Sequence, residues 1–292
     1  MNILLTGGSG FIGRNIREAM SSRYHILAPT HRELELLDEE AVRRFFQKHD
    51  IDVVIHAAVR PGHRNAQDPT RICYCNTRMF FNLVRNARHY GKMIFLSSGA
   101  VYDERHYRPK MKEEYFDVHV PADEHGFSKY VCARHIELLD NVCELRLFGV
   151  FGRYEDYAIR FISNAICKAL LGLPITIKQN RRFDYLYVED LMPVLDHFIK
   201  HHPRHRAYNV TPDEAIELYQ LAEKVRAVSG KDLPILVGVP GMGPEYSGDN
   251  ARLREEIPGL EFTPVEEAIR RLYGWYAENL AKIDKQCLLF DK

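Results

Sequence analysis

Apolar residues along the chain alternate between short continuous runs and longer stretches with helical spacing. The first run, Ile3-Leu4-Leu5, has the length and composition of a buried strand. From Phe11 through Ile16 to Met20 the period changes to that of an amphipathic helix. Tyr24-His-Ile-Leu-Ala28 predicts a second strand, and Asp38 stands as the cap of a helix over residues 39–49. Further strands are predicted over 52–58, 92–97 and 142–147. Helices are predicted over 68–90 and 128–139, the second preceded by a polar loop at 103–124. Strands alternating with helices read as a mostly parallel, doubly wound α/β sheet. The second half changes character. Residues 157–171 carry apolar positions at Ile159, Ile162, Ile166 and Leu170, and short strands follow at 175–177 and 183–187. A helix over 189–201 and a strand at Ala207-Tyr-Asn-Val210 come next. Beyond Thr211 the pattern predicts two more helices around a Gly/Pro-rich stretch at 238–248.

The first strand runs directly into Thr6-Gly-Gly-Ser-Gly-Phe-Ile-Gly13. Strand, glycine turn and helix in this order are the setting of a dinucleotide site. Gly7 can turn the chain tightly, Gly10 lets a pyrophosphate approach the backbone, and Gly13 lets the helix pack closely. The helix start then offers free N–H groups and a positive dipole end to phosphates. The third strand ends in Ala57 and Ala58, where bulk would obstruct a cofactor, and the fourth delivers Ser97 and Ser98 to its C-terminal end. No acid ends the second strand; Pro29-Thr-His-Arg32 follows instead. An arginine there suits a 2′-phosphate and favours NADP over NAD, though Arg32 also reads as a solvated loop residue. The fold class is therefore α/β, a Rossmann-type doubly wound parallel sheet with a smaller C-terminal substrate-binding lobe. Residues 1–150 form the NAD(P)-binding domain, with segments at about 181–210 returning to it, and 151–292 form mainly the second lobe.

Composition narrows the partners. The chain has 292 residues with 40 Lys+Arg against 40 Asp+Glu and no basic stripe, which excludes nucleic acid as the main partner. No apolar run approaches the roughly 20 residues of a membrane helix. With a strand beginning at the first methionine, no signal peptide is expected. The six cysteines are scattered, and Cys73-x-Cys75 has no second pair to complete a metal site. The expectation is a reduced, cytoplasmic protein without metal. The His201-His-Pro-Arg-His205 cluster reads as a solvated turn.

The motifs together resemble the extended short-chain dehydrogenase/reductases, the nucleotide-sugar epimerases, dehydratases and ketoreductases. The resemblance rests on the glycine turn, His56-Ala-Ala58, Leu96-Ser-Ser-Gly-Ala-Val-Tyr102 and Gly126-Phe-Ser-Lys129. It continues in Leu145-Arg-Leu-Phe-Gly-Val-Phe-Gly152, Asp184-Tyr-Leu-Tyr-Val-Glu-Asp-Leu191 and Tyr208-Asn-Val210. Arg32-Glu-Leu-Glu-Leu-Leu-Asp38 looks most like the reductases that make deoxysugar nucleotides. The resemblance implies an NADP or NAD cofactor held by Gly7, Gly10, Phe11, Ile12, Gly13, Arg32, Asp38, Ala57, Ala58, Asn76, Ser97, Lys129 and Phe148. It implies a nucleoside-diphosphate sugar as substrate, with keto reduction or epimerisation at a hexose ring carbon. It also implies a homodimer through the helices at 68–90 and 128–139, whose surplus apolar positions are Phe80, Phe81, Val84, Val131, Ile136 and Leu139.

In that family a Ser/Thr, a Tyr and a Lys do the chemistry, and here the matching positions hold Ser98, His125 and Lys129. Histidine at the tyrosine position is the main departure. Two smaller ones are Gly149 where the family has Asn, and Phe183 where it has Arg, with Arg182 displaced by one residue. A tyrosine ionises to an anion that Lys129 would stabilise; a histidine ionises to a cation that Lys129 opposes. His125 is therefore expected to be neutral at pH 7, below its usual value of about 6.5. Three outcomes stay open: His125 acts as a base, a neighbour such as Tyr102 substitutes, or catalysis is lost and the protein keeps a binding, sensing or scaffolding role.

Overall fold

The computed structural model describes residues 1–62, 66 and 68–289. Six strands form one parallel sheet: β1 (Asn2–Thr6), β2 (His25–Leu27), β3 (Val53–His56), β4 (Lys92–Ser98), β5 (Val142–Leu147) and a later strand, Ala207–Val210. Their spatial order is β2-β1-β3-β4-β5 and then Ala207–Val210 at the far edge. The chain moves outward from β1 to β2 and returns on the other side of β1 to β3, so the strand order reverses between β1 and β3. Such a reversal opens a crevice at the C-terminal strand ends, which is where doubly wound sheets bind ligands.

The continuous apolar runs follow from burial on both faces. Ile3, Leu5, Val53, Ile55, Ile94 and Leu96 point to one face, where α1 (Phe11–Met20) supplies Ile16 and Met20. Leu4, Val54, Met93 and Phe95 point to the other, covered by α2 (Glu39–Lys48), α3 (Ile72–Val84) and α4 (Glu124–Ile136) through Val42, Phe46, Phe80, Leu83, Cys132 and Ile136. After β6 (Gly149–Phe151) a separate apolar core gathers α5 (Phe161–Leu170) and β7 (Ile175–Asn180). β8 (Arg182–Phe183), β9 (Tyr185–Tyr187) and α6 (Leu191–Lys200) come next. The chain then enters the sheet's sixth strand, Ala207–Val210, here β10. It continues through β11 (Ile216–Glu217), α7 (Leu218–Ser229), β12 (Ile235–Met242), α8 (Ala251–Glu256) and α9 (Val265–Glu278). α6 packs on the first face of the main sheet through Leu191, Val194, Leu195 and Phe198. α7 and α9 join the second core through Leu221, Val225, Ile269 and Leu272.

Several boundaries differ from the sequence expectation, each for a local reason. The helix expected over 68–90 is α3 alone, followed by a short 3-10 turn at Ala87–His89. The Asp68 carboxylate accepts from the Thr70 N–H (2.9 Å) and Arg71 adopts a left-handed φ of 56°, so the chain cannot enter a helix before Ile72. α4 starts earlier than expected because the Asp123 carboxylate caps the Gly126 N–H at 2.7 Å. His125 thus lies in the first turn of a helix. The Gly/Pro-rich stretch contains a real strand, β12, running parallel to β7, and is followed by a third helix, α8. Pro240 is tolerated there because β12 pairs on one side only.

At the end of β1, Gly7 turns with a φ of +72°, and a methyl group there would lie 2.7 Å from the Ala58 backbone nitrogen. Gly172 has nearly the same φ, +71°, but nothing within 4 Å. Gly172→Ala should therefore cost only the left-handed penalty of about 1–2 kcal/mol, whereas Gly7→Ala should cost clearly more. Urea denaturation of the two variants checks this; equal losses would show that the β1–β3 contact is not tight.

Candidate functional site

The crevice between β1 and β3 is lined by backbone. The Gly10 N–H donates to the Gly7 carbonyl (3.0 Å), closing the turn. A methyl group on Gly13 would stand 2.1 Å from the Gly7 oxygen, so α1 presses directly on the turn. Gly10 differs: its φ is −78°, and a methyl group there would meet only the Gly7 oxygen, at 3.3 Å. Backbone strain does not require glycine at position 10, and its crowding is far milder than at Gly7 and Gly13. α1 has no side-chain cap and no acid in its first turn, so its N-terminal N–H groups, beside half-buried Phe11 and Ile12, face the crevice side. On the β3 side, Thr6 Oγ1 accepts from the Ala58 N–H (3.3 Å) and contacts His56 Nδ1 at 2.7 Å. Burial lowers the His56 pKa to about 3, with Lys129 adding to the effect, so His56 is neutral. The Thr6 hydroxyl thus bridges His56 and the Ala58 N–H, and these contacts tie the ends of β1 and β3 together. The cradle of glycines, the two alanines and the uncapped helix start fit a nicotinamide dinucleotide.

Not every residue expected to reach the cofactor faces the crevice. Asn76 accepts from the Arg60 N–H (2.7 Å) and donates to the Arg60 carbonyl (3.3 Å). It holds the segment after β3 in place rather than reaching into the crevice. The Asp38 carboxylate is engaged as the cap of α2, accepting from Glu40 and Ala41 N–H groups. Arg32 is exposed on the turn after β2. Ser97 is buried, and Phe148 is held between Gly99 and Gly248, either of whose added methyls would lie 2.6 Å from its ring.

The chemistry-bearing groups gather where β4 ends. Ser98, half-buried, accepts from the Ala100 N–H at 3.2 Å. Lys129, on α4, is 5% exposed; its ammonium donates to the Leu96 carbonyl (3.0 Å) and sits 4.5 Å from the centre of the Phe95 ring. Burial lowers its pKa to about 8. His125 is half-buried at the start of α4, and burial lowers its pKa to about 4. The charges of Lys129 and Arg160 act in the same direction, against Asp123.

Tyr102 does not substitute for the missing tyrosine. It is 1% exposed, its hydroxyl donates to Asn209 Oδ1 (2.7 Å), and it accepts from Arg146 (2.9 Å). Asparagine cannot occupy position 149 either, because even a methyl group there would lie 2.4 Å from the Asp184 carbonyl. Arg182 turns away to the Ala215 carbonyl (2.8 Å) and Glu245, while Arg181 lies over the Phe183 ring. The residues that sequence reading missed are Tyr246 and Tyr107, which pack beside Ser98 and Phe148, and Glu155. Glu155 is 6% exposed, accepts from Ser163 (2.5 Å) and is pushed up to about 8 by burial.

A parallel sheet with a glycine cradle at its reversal point, and a Ser–Lys pair at the end of the next strand, defines a dinucleotide-dependent enzyme class. The chain belongs to the NAD dependent epimerase/dehydratase family, whose model matches residues 3–211. It is 38% identical over 105 residues to GDP-L-fucose synthase from Azorhizobium caulinodans, covering 34% of each chain. It is 33% identical over 107 residues to GDP-L-colitose synthase from Yersinia pseudotuberculosis, covering 35% of each. These matches span about a third of the length of both relatives. A solved GDP-L-fucose synthetase from Naegleria fowleri bound to NADP has the same fold, with a TM-score of 0.84 at 17% identity over 97% of this chain and 95% of that one. Among the described residues no group of His, Cys, Asp or Glu could hold a metal ion, and no helix is long and apolar enough to cross a membrane.

The lowered histidine values make stability depend on pH. Unfolded, His56 and His125 take up protons near pH 6.5; folded, they do so only near 3 and 4. The unfolded chain binds more protons between these values. The stabilisation is fully present above pH 6.5 and is lost as pH falls toward 4, by about 1.4 kcal/mol per pH unit for each histidine. His125→Gln should remove about that much of the slope between pH 6 and 4.5, read by urea unfolding. An unchanged slope would mean that His125 titrates normally in the fold.

Proposed function

We propose that this protein is an NADP-dependent reductase or epimerase of a nucleoside-diphosphate sugar, acting at a hexose ring carbon. What supports the reading is Ser98 at the end of β4, Lys129 hydrogen-bonded to Leu96 of the same strand and His125 in the first turn of α4, in a chain with a glycine cradle after β1. In this reading Gly7, Gly10, Gly13, Ala57 and Ala58 hold the dinucleotide, and Arg32 faces the 2′-phosphate. When bound, the nicotinamide gives or takes a hydride at the sugar carbon. Ser98 holds the reacting oxygen by a hydrogen bond. Lys129 keeps a positive charge under the site; burial, with Lys129 adding to it, keeps His125 neutral, so His125 can accept a proton from a sugar hydroxyl but is a poor donor to a keto oxygen.

The reading is of a cytoplasmic homodimer. Phe80 and Ile136 are consumed by the core, so the pairing surface on α3 and α4 narrows to half-buried Phe81, Val84, Val131 and Leu139.

A second reading is favoured by one observation. The Lys129 ammonium donates one of its three protons to the Leu96 carbonyl and sits 5% exposed at the sheet end. A protein that binds cofactor and nucleotide sugar without turning them over would look the same. One experiment separates the two: incubate the purified protein with NADPH and a panel of 4-keto nucleotide sugars, and follow oxidation of the cofactor. Turnover of at least one sugar is expected; binding by thermal shift without turnover of any supports the second reading. The same preparation tests Arg32. Arg32→Ala should weaken NADPH relative to NADH by about tenfold, the loss of one charge-assisted contact worth roughly 1.5 kcal/mol. An unchanged ratio removes Arg32 from the cofactor site.

A further inference from the structure

The proton that His125 cannot give has another source in the structure. Residues 245–249 are tied down on two sides. The Tyr246 N–H donates to the Arg182 carbonyl (3.0 Å) and its carbonyl accepts from the Asp184 N–H (3.2 Å). One residue on, the Ser247 carbonyl accepts from the Met111 N–H (3.0 Å), and the Asp249 N–H donates to the Met111 carbonyl (2.8 Å). This double clamp sets the Tyr246 ring among Tyr107, Phe148 and Phe183, at centroid distances of 4.7, 4.9 and 5.2 Å. The ring is 8% exposed, and its hydroxyl lies over Gly99, where an added methyl group would be 2.6 Å away. The hydroxyl thus stands beside Ser98, the residue before Gly99, while its ring lies against that of Tyr107, and both neighbouring hydroxyls ease its ionisation. Three hydroxyls, from β4, from the segment after it and from the C-terminal lobe, gather in an otherwise aromatic cage.

We propose that Tyr246 is the proton donor of this enzyme, filling from the C-terminal lobe the role left open by His125 on α4. The proposal rests on the reading of the protein as a keto-sugar reductase or epimerase. In reduction the carbonyl carbon gains a hydride from a reduced nicotinamide, which is oxidised. The C=O π bond breaks, and the oxygen takes the proton of Tyr246 Oη, leaving a phenolate. Ser98 keeps its own proton on the reacting oxygen, while the phenolate takes a proton from the Tyr107 hydroxyl, which regains one from solvent because Tyr107 is only half-buried. Oxidation runs the same steps in reverse.

The groups facing Tyr246 suit a donor. Burial raises its pKa to about 12; the Ser98 and Tyr107 hydroxyls pull against this, Asp184 adds to it and Arg181 opposes it. The phenol keeps its proton at pH 7 and so meets the substrate as a donor. His125, with a value of about 4, would carry a donor proton in about one molecule in a thousand at that pH. The clamp on both sides of the segment places the hydroxyl before substrate arrives, which is the condition for efficient proton transfer.

The test compares wild type, Tyr246→Phe and His125→Gln with NADPH and whichever 4-keto nucleotide sugar the wild type accepts. Tyr246→Phe should lower kcat by on the order of 10²–10⁴-fold, with KM and NADPH affinity by fluorescence titration nearly unchanged. Wild-type kcat should be flat from pH 6 to 7.5. If Tyr246→Phe does not fold, Tyr107→Phe leaves the donor in place and should slow turnover through the relay alone, with the same unchanged affinities. The proposal is overturned if the phenylalanine variants keep the wild-type kcat. It is also overturned if kcat falls tenfold per pH unit across this window and His125→Gln abolishes it. A wild type that binds NADPH and reduces no keto sugar removes the activity and the donor together, which distinguishes that failure from a failure of Tyr246 alone.

Discussion

The structure depends on one close approach. The turn after β1, the start of α1 and the end of β3 meet with no room for a side chain at Gly7 or Gly13, where a methyl group would run into backbone at 2.7 and 2.1 Å. Backbone cannot move aside as a side chain can, so both positions are closed to anything but glycine. The Thr6–His56 contact locks the same junction from inside the sheet. Because the strand order reverses here, the packing that holds β1 against β3 also leaves the crevice in which a dinucleotide fits. Stability and binding share one set of contacts at Gly7 and Gly13, and only Gly10 is released from the structural half of that task.

Away from the cradle, burial sets the chemistry. It holds His56 and His125 neutral, lowers Lys129 to about 8 and keeps the Tyr246 phenol protonated. Such a site has few free charges and many hydroxyls. The rigid frame around it includes the buried Arg146–Glu144 pair (2.8 Å), which leads through Tyr102 to Asn209 on β10. Removing one partner of such a pair leaves a charge uncompensated and costs roughly 3–5 kcal/mol. Tyr102 is therefore committed to joining β5 to β10, which is why a tyrosine so near Ser98 in sequence is not available to the reaction.

The sheet was legible in the sequence because its strands are buried on both faces and so read as unbroken apolar runs. Helix starts were less legible. Asp68 forms a local turn with Thr70, whereas Asp123 caps α4, and the two aspartates look alike in sequence. The cradle was legible because its glycines are contiguous. Tyr246 was not, since it reaches Ser98 only through pairing of its segment with residues 111, 182 and 184, contacts made between parts of the chain far apart. Gly149 could be seen as a departure from the family, but its reason, the Asp184 carbonyl 2.4 Å from any added methyl, lies wholly in three dimensions.

Position 10 is where the claim of a dinucleotide site is most exposed. The φ of −78° suits any residue, and a side chain there would meet a single neighbour, the Gly7 oxygen at 3.3 Å. Glycine there answers to a ligand and not to the fold. Gly10→Val should melt close to wild type without ligand and show no shift when NADPH is added. Wild type at about 100 times the dissociation constant should gain roughly 2.7 kcal/mol, a rise of a few degrees. A Gly10→Val protein stabilised by NADPH as much as wild type would contradict the account.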